Sequence, residues 1–409
     1  MGDKAVKAPG RGARTRKYLD RQEAILRVAV QMLNRGGLRS MTLADVAEHF
    51  GLVSTGVAYY FRTKELLAAA CFRRSIETHE RLIAEAFAGV TIEDRVRRLV
   101  GGYFHLLALI AQGESDDIAL FEDIRSLNDT GLEQAYVEMF RHLRALLEAA
   151  GGDRATANAR THYLLQQLVW ARYWLARYDP EDYPRAAERM ADILLNGLDA
   201  GAQAWSPLPL PLGERGAGET DAREVFLRAA TQLINEQGYR GASVERIAAR
   251  LEVTKGSFYY RIDAKDDLIE VCYLRTVEVM RHAQQAAGGL PCAGRERLTA
   301  AIAHLIDHQL DGEAPLLRFP TASVPDTIRQ NIQAGCDRIG LRFGSMLSDG
   351  VADGSLRPVD IQIAAQMLIS LAIAGAELGN WLPAPPDART TEAFARPLFA
   401  GLSRPQSTK

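Results

Sequence analysis

The chain has 409 residues, too many for one ordinary core, so we expect two domains of about 200 residues each. Its 49 lysines and arginines nearly balance 51 aspartates and glutamates, so binding to a polyanion must depend on local clusters of positive charge. The four cysteines show no CxxC spacing, and neither a signal peptide nor an apolar run long enough to cross a membrane is apparent. These features argue against a disulfide framework, a zinc site and a membrane span, and predict a soluble cytoplasmic protein without a cofactor.

Residues 1–18 form a basic arm. The arm has six lysines and arginines but only one acid, Asp3, with Gly, Pro and Ala between them and no apolar periodicity. This composition predicts a disordered, flexible segment. Two interpretations stay open: a solvated leader without a role, or an arm that contacts phosphates or the minor groove of DNA.

Residues 19–64 carry the pattern of a helix-turn-helix. A first helix is predicted over 21–34 and ends at Gly36-Gly37. Thr42, with an acid three residues on at Asp45, has the pattern of a capping box for a second helix, and Ser54 is the predicted cap of a short third helix. Two short helices joined by a tight turn at Gly51 make a helix-turn-helix.

Residues 65–205 are predicted to form a helical body. A long helix begins at Lys64 after the cap Thr63, and further helical blocks cover 92–111, 118–127, 131–149, 155–177 and 183–205. No stretch alternates with period two long enough to predict a strand. Residues 206–219 alternate Pro with Leu and then become Gly-rich, which predicts an extended linker.

The second half repeats the first at a distance of 201 residues without a gap over some fifty positions. Residues 224–235 match 23–34 at six of twelve positions, and the register continues to Arg275. This predicts a second head over 220–265 and a second helical body over 266–409, with helical blocks at 298–310, 327–347, 361–382 and 392–402. The block around 364–376 is rich in Ala and Gly, so we expect it to pack closely against the last helices of the first body.

The stretch from Gly51 to Lys64, GLVSTGVAYYFRTK, resembles the recognition segment of TetR-type transcriptional regulators. Its counterpart from Glu252 to Lys265, EVTKGSFYYRIDAK, matches the pattern with equal spacing. The resemblance implies an all-α fold in which each half has a three-helix head and a helical body for ligand binding and dimerisation. It also implies that the halves pair within the chain as a pseudo-dimer, since helix-turn-helix dimers read half-sites about 34 to 36 Å apart.

The resemblance assigns double-stranded operator DNA as the partner of both heads. In the first head the implied contacts are Ser54, Thr55, Gly56 and Tyr60, and in the second they are Lys255, Gly256, Ser257, Tyr259 and Arg261. The helix caps Thr42 and Ser243 are expected to offer hydroxyl and N–H groups to phosphate. Lys64 and Lys265 each begin a long helix, where a cation is unfavourable unless a phosphate lies nearby. For each residue, an exposed or turn-forming role is the alternative.

The two heads differ from the family pattern in different ways. The first has Ala58 where the family usually has Tyr, and the second has Glu252 in place of the turn Gly, which costs about 1 kcal/mol if the turn needs positive φ. Because Lys255 and Arg261 are suited to guanine and the first head lacks both, we expect an operator with two unlike half-sites.

A pocket for a small, largely apolar effector is predicted in the first body. Its candidate lining combines aromatic rings with a few polar groups: Tyr103, Phe104, Phe121, Arg125, His162, Gln166, Trp170, Tyr173 and Trp174. Plain core or helix packing is the alternative for these side chains. Cys71 and Cys272 occupy equivalent places on the two long helices and are interpreted as buried small residues rather than redox sensors.

Two other functions compete with a ligand-released repressor. An enzyme is disfavoured because the chain has no Gly-rich phosphate loop, no GxSxG and no metal-ligand cluster. An asymmetric protein with one DNA-competent head would need dimerisation of two chains to bind DNA.

Overall fold

The computed structural model describes residues 11–148, 152–211, 222–237, 244–251, 265–312, 315–318 and 326–403. These residues form helices and connecting segments, and the β-pairing among them is one isolated antiparallel bridge between Asp199 and Leu356. The fold is therefore all-α, as predicted.

The helices of the first half are α1 Arg11–Ser40, α2 Leu43–His49, α3 Ser54–Ala58, α4 Lys64–Ala86, α5 Ile92–Ala111, α6 Thr130–Leu146, α7 Arg154–Leu175 and α8 Tyr183–Asn196. Those of the second half are α9 Ala222–Gln237, α10 Val244–Arg250, α11 Lys265–Gly288, α12 Gly294–Leu310, α13 Asp326–Ala352, α14 Ile361–Leu378 and α15 Ala388–Ala400. Short 3-10 helices cover Phe121–Leu127, Pro180–Asp182 and Gly379–Trp381. The order of helices after the heads thus repeats although the two body sequences do not align visibly.

Three predictions about the first half need correction. Helix α1 begins at Arg11, so the part of the predicted disordered arm from residue 11 onward is helical. Residues 118–127 are not an α-helix: residues 118–120 have no regular secondary structure, and Phe121–Leu127 is a 3-10 helix. Helix α8 ends at Asn196, nine residues before the predicted end, because Gly197 takes φ 71°, outside the helical region.

The chain divides into two compact units. The first consists of Met1–Thr78 with Asp116–Tyr136, and the second of His79–Ser115 with Val137–Lys409. The first unit contains the first head, and the second contains most of the first body with the whole second half. The boundary falls within α4, whereas the sequence suggested a boundary at residue 64. The predicted domain limits remain predictions.

Helices α7 and α14 run antiparallel inside the second unit and join the two halves. Gln167 Nε2 donates to the Met367 carbonyl at 3.1 Å, Ser370 Oγ donates to the Gln166 carbonyl at 3.2 Å, and His162 Nε2 lies 3.1 Å from the Ala374 carbonyl. The Ala-rich α14 therefore packs against α7, as predicted. Among the described residues it is also long and apolar enough to cross a membrane by composition, contrary to our expectation, but 78% of the segment Ile361–Trp381 is buried in the protein.

The ends of α8 and α15 exchange backbone hydrogen bonds reciprocally. Leu198 N donates to Leu398 O at 3.1 Å, and Leu402 N donates to Leu194 O at 2.8 Å. In the first bond the donor lies in the first half and the acceptor in the second, and in the other bond these roles are exchanged. The interval between the two donors equals that between the two acceptors. Such reciprocal bonds are typical of an interface between two copies related by a two-fold axis. The backbones approach so closely that a Cβ on Gly197 would lie 2.1 Å from the Phe399 carbonyl oxygen. The two bodies therefore pair as a pseudo-dimer within one chain.

Candidate nucleic-acid interface

Helix α2 begins with the predicted capping box. Thr42 Oγ1 accepts from Asp45 N at 3.1 Å, and Asp45 Oδ2 accepts from Thr42 N at 3.2 Å. This reciprocal pair satisfies two N–H groups at the start of the helix. The Thr42 hydroxyl is thus engaged in capping, and its contact with phosphate remains a prediction.

The turn between α2 and α3 depends on Gly51. Its φ is 62°, in the left-handed region, and its N–H donates to Glu48 O at 2.9 Å. A residue with a Cβ is strained in this conformation. The expectation that the turn needs positive φ is confirmed for the first head, while Glu252 in the second lies outside the described residues.

Helix α3 presents its polar side to solvent. Val57 is fully buried and Phe61 nearly so, whereas Ser54 and Thr55 are exposed and Gly56 and Tyr60 are half-buried. The N-cap position is Val53, which makes no side-chain cap, so the prediction that Ser54 caps α3 is wrong. Ser54 is the first helical residue, and its side chain is exposed.

Three tyrosine rings meet at the end of α3. Tyr60 stacks on Tyr18 with centroids 4.7 Å apart, and Tyr59 meets both rings edge-on at 5.9 and 5.3 Å. Tyr59 is 74% exposed. Sequence reasoning singled out Tyr60 but missed Tyr59 and Tyr18, although the repeat places a Tyr at both Tyr59 and its counterpart Tyr260.

Lys64 starts α4 after the cap Thr63, whose Oγ1 accepts from Leu66 N at 3.2 Å. The half-buried Lys64 directs its ammonium to the carbonyl oxygen of Leu38, at 3.4 Å, near the end of α1. The carbonyl partly offsets the cost of a cation at a helix start. Contact between Lys64 and phosphate remains a prediction.

The second head is described in part. Ile247 and Ala248 are buried in α10 as Val46 and Ala47 are in α2, so the two helices have the same inward face. The predicted contacts Ser243, Lys255, Gly256, Ser257, Tyr259 and Arg261 lie outside the described residues. Lys265 is the first residue of α11, as predicted, and its side chain is not described.

A group of polar residues is repeated where each head meets the segment that follows α5 or α12. We call it the polar joint; its members are Glu23, Asn34, Arg74 and Ser75 in the first half and Glu224, Asn235, Arg275 and Thr276 in the second, all 201 residues apart. Asn34 Nδ2 donates to Ile118 O at 2.9 Å, and Asn235 Nδ2 donates to Leu316 O at 2.8 Å. Ala119 N donates to Ser75 Oγ at 2.7 Å, and Leu317 N donates to Thr276 Oγ1 at 2.8 Å.

The arginines complete the joint. Arg74 pairs with Glu23 at 2.7 Å and with Asp116 at 2.8 Å. Arg275 is buried, pairs with Glu224 at 2.7 Å and donates to Pro315 O at 2.8 Å. The sequence signal was present as identities across the repeat, but only the contacts reveal its role. In each half, the segment that follows α5 or α12 is therefore bonded to its head by corresponding polar residues.

Cys71 and Cys272 lie beside the polar joint and are fully buried. Burial raises the pKa of Cys71 to about 12 and that of Cys272 to about 11. Both thiols therefore stay protonated at neutral pH and are poor nucleophiles. The interpretation of these cysteines as buried small residues is confirmed.

The residues predicted to bind an effector are not brought together as one set. Tyr103 and Phe104 are buried in the first body, where Phe104 meets Trp174 with ring centroids 5.9 Å apart. His162, Gln166 and Trp170 bond with α14: Gln166 Nε2 donates to Glu377 at 3.2 Å, and Trp170 Nε1 donates to Gln366 at 3.3 Å. Tyr173 packs on Trp170 and so adjoins the second group. Two members join neither group: Phe121 lies in the first unit against Tyr136, and the Arg125 side chain is not described.

Ligand binding by these residues remains a prediction, and for His162, Gln166 and Trp170 the structure supplies another role. Within the described part of the chain no group of three His, Cys, Asp or Glu side chains is arranged to hold a metal ion.

Comparison with known proteins places both heads in one family. The profile of the bacterial regulatory proteins of the tetR family matches residues 25–71 and again residues 226–272. The uncharacterized HTH-type transcriptional regulator YhgD of Bacillus subtilis (strain 168) is 21% identical over 156 residues, which are 38% of this chain and 82% of YhgD. The transposon Tn10 TetC protein of Escherichia coli is 24% identical over 148 residues, 35% of this chain and 72% of its own.

Solved structures match over similar lengths. Apo AibR is 22% identical, with 42% of this chain and 93% of AibR covered and a TM-score of 0.35. PfmR from Thermus thermophilus, a TetR family transcriptional regulator, is 22% identical, with 44% and 99% covered and a TM-score of 0.35. A structure of AibR with isovaleryl coenzyme A and operator DNA has 18% identity, 45% and 99% coverage and a TM-score of 0.33.

The capped α2, the Gly51 turn and the exposed polar side of α3 form a helix-turn-helix, and together with the matched profile they indicate a DNA-binding regulator of transcription. The chain therefore carries two domains of the tetR family of bacterial regulatory proteins in tandem, at residues 25–71 and 226–272.

Proposed function

We propose that the chain is a ligand-responsive repressor that reads one operator with two unlike half-sites, one for each head. The observation that carries the proposal is the first head's helix-turn-helix, with the family profile matched a second time in the other half of the chain. A regulator of this kind acts on DNA in the cytoplasm. It does not need catalysis, and we propose none.

Differences between the reading segments support unlike half-sites. By the repeat, Ala58 corresponds to Tyr259 and Tyr60 to Arg261, so the first head offers an aromatic hydroxyl where the second offers a guanidinium. A guanidinium favours the O6 and N7 acceptors of guanine. The two heads therefore have different preferred bases.

Pairing of the bodies supports one chain for each operator. The hydrogen bonds between α7 and α14 and the reciprocal bonds between α8 and α15 use the surface that would otherwise pair with a second chain. Covalent linkage also raises the effective concentration of the second head once the first is bound. The competing arrangement is a chain with one DNA-competent head that dimerises to bind DNA.

An effector pocket in the first body is supported by its buried aromatic content and by one polar atom. Tyr163 on α7 is fully buried, and its hydroxyl has no hydrogen-bond partner in the described part of the chain. An unpaired buried hydroxyl costs about 1 to 3 kcal/mol, which a ligand or a water molecule can offset. We propose a small, largely apolar effector with one polar group that reaches this depth.

Selection of duplexes from random-sequence DNA by the full-length protein, followed by footprinting, tests the proposal. We expect one composite site with two protected half-sites of different sequence, and release of the DNA by an apolar ligand. Two identical half-sites would contradict the proposal that the heads recognise different sequences, and failure to select any duplex would contradict DNA binding.

Lys64→Ala is expected to weaken binding to all sequences and to reduce the salt dependence of affinity.

A further inference from the structure

The amino-terminal extension of α1 contacts the DNA-reading part of the first head. Helix α1 starts ten residues before the predicted start at Arg21. On this added length, Tyr18 meets the two tyrosines at the end of α3, and at its base the Arg21 guanidinium lies over the Phe50 ring, 4.5 Å from the centroid. The extension and its base therefore contact the residues that end both helices of the helix-turn-helix.

Tyr60 needs such a neighbour. Helix α3 has five residues and no side-chain cap, and Tyr60 lies beyond its last helical residue, with its N–H bonded to Val57 O at 2.9 Å. A helix this short does not hold its own end in place. Stacking on Tyr18 at 4.7 Å, with ring planes 28° apart, fixes the direction of the Tyr60 ring, and Tyr59 packs edge-on against both.

The second half of the chain does not carry these residues at the corresponding positions. The positions 201 residues after Tyr18, Arg21 and Phe50 are Glu219, Ala222 and Leu251. None of the three can supply a ring stack or a cation–π contact. At these three positions the second half therefore lacks the side chains that make the contacts in the first head.

We propose that Tyr18 is a positioning residue for DNA recognition: it holds Tyr60 and Tyr59 toward the first half-site and makes the α1 extension a specificity element of the first head only. The proposal rests on the proposed function, because it concerns the same DNA-reading surface. Arg16 and Lys17 are exposed on the same turn and add positive charge beside the three rings. The extension thus contributes side-chain order as well as charge.

The test uses full-length protein and the duplex that the wild type selects. Tyr60→Ala first identifies the half-site read by the first head, as the half-site at which base preference changes. Tyr18→Ala is then expected to weaken binding about 3- to 10-fold, the loss for one or two aromatic contacts, with base preference relaxed at that half-site only. The slope of affinity against salt should not change, because tyrosine carries no charge.

Two variants separate positioning from folding. Tyr18→Phe keeps the stacked ring and is expected to restore affinity and base preference. Tyr18→Leu keeps apolar bulk and helix propensity and is expected to behave like Tyr18→Ala while the protein unfolds at the wild-type temperature. Leu19→Ala changes a half-exposed neighbour on α1 that takes no part in the ring cluster, and should bind as the wild type does.

The outcomes are distinguishable. If the wild type selects a duplex and Tyr18→Ala and Tyr18→Leu bind it with unchanged affinity and preference, the positioning role is wrong and the proposed function stands. Equal loss at both half-sites would also overturn the positioning role. If the wild type selects no duplex, the proposed function fails and this inference fails with it.

Discussion

Gly51 shows how one residue sets the geometry of the reading head. Its φ of 62° turns the chain between α2 and α3, and no atom lies within 4 Å of the position that a Cβ would occupy. The requirement for Gly is therefore one of backbone conformation and not of space. The sequence predicted this turn because Gly separates two short helical patterns.

Replacement of Gly51 isolates that conformational requirement. Gly51→Ala is expected to lower the free energy of unfolding of the first head by about 1 kcal/mol through strain at positive φ. Gly101→Ala is the matched control: Gly101 lies inside α5, also with open space around a Cβ, and Ala there should leave stability unchanged or raise it by up to about 1 kcal/mol. Chemical denaturation of both variants measures the difference, and equal effects of the same sign would contradict the account.

The Arg295–Asp199 ion pair connects the two halves of the chain. Arg295 at the start of α12 and Asp199 after α8 are both buried, with Nε and Oδ1 2.7 Å apart, and Arg295 also donates to Ala204 O at 3.2 Å. Removal of one partner leaves a charge without compensation in the interior, which costs about 3 to 5 kcal/mol. The pair therefore ties the segment after α8 to the second body.

We expect Asp199→Asn to reduce the free energy of unfolding of the second unit by about 3 to 5 kcal/mol, measured by denaturant titration. Glu188→Gln is the control, because Glu188 pairs with Arg97 at 2.8 Å on the surface, where such pairs contribute about 0 to 1 kcal/mol. Similar small losses in the free energy of unfolding for both variants would contradict the claim that the buried pair stabilises the second unit.

At the scale of elements, the repeated polar joint explains how each head is attached to the segment that follows α5 or α12. In the first half Asp116 accepts from Arg27 at 2.5 Å and from Arg74 at 2.8 Å. Partial burial acts to raise the pKa of Asp116, but the hydrogen bonds and charges of the two arginines outweigh it and hold that pKa below its ordinary value. The joint is therefore sensitive to acid.

The sign of this effect follows from linkage. Because the pKa of Asp116 is lower in the folded than in the unfolded chain, its contribution to stability is present above the ordinary pKa of about 3.9 and is lost as pH falls below it. Asp116→Asn should therefore destabilise the first unit near neutral pH and flatten the decline of stability between about pH 5 and 2. Thermal unfolding across this range tests it, with Asp20→Asn, an exposed carboxylate on α1, as the control. An unchanged pH profile in Asp116→Asn would contradict this role.

Comparison of particular elements shows what the sequence can predict. Helix α5 has the predicted limits because its apolar face is regular, and the structure adds that Thr91 Oγ1 caps it by accepting from Asp94 N at 3.1 Å. The α1 extension is not predicted from the sequence because Gly12 and four basic residues leave little apolar periodicity, and its side chains contact residues that follow α2 and α3. On α7, sequence patterns identified a buried aromatic and polar face but could not show that α14, in the other half of the chain, meets it.

At the scale of the whole molecule, the chain joins two family units through a polar interface between their bodies. His162, Gln166 and Gln167 of α7 form hydrogen bonds with the antiparallel helix α14. The ends of α8 and α15 exchange backbone hydrogen bonds reciprocally. Duplication explains why the contacts are reciprocal, and the sequences of the two reading segments differ. The polar joint kept its residues in both halves, whereas the reading segments did not.

The central claim is that one chain supplies both reading heads. The most direct measurement is the mass of the complex with the selected duplex by light scattering, with the protected half-sites mapped on the same sample. We expect one 45.0 kDa chain per duplex with both half-sites protected. Two chains per duplex, or one protected half-site per chain, would contradict the claim and favour a chain dimer with one competent head in each chain.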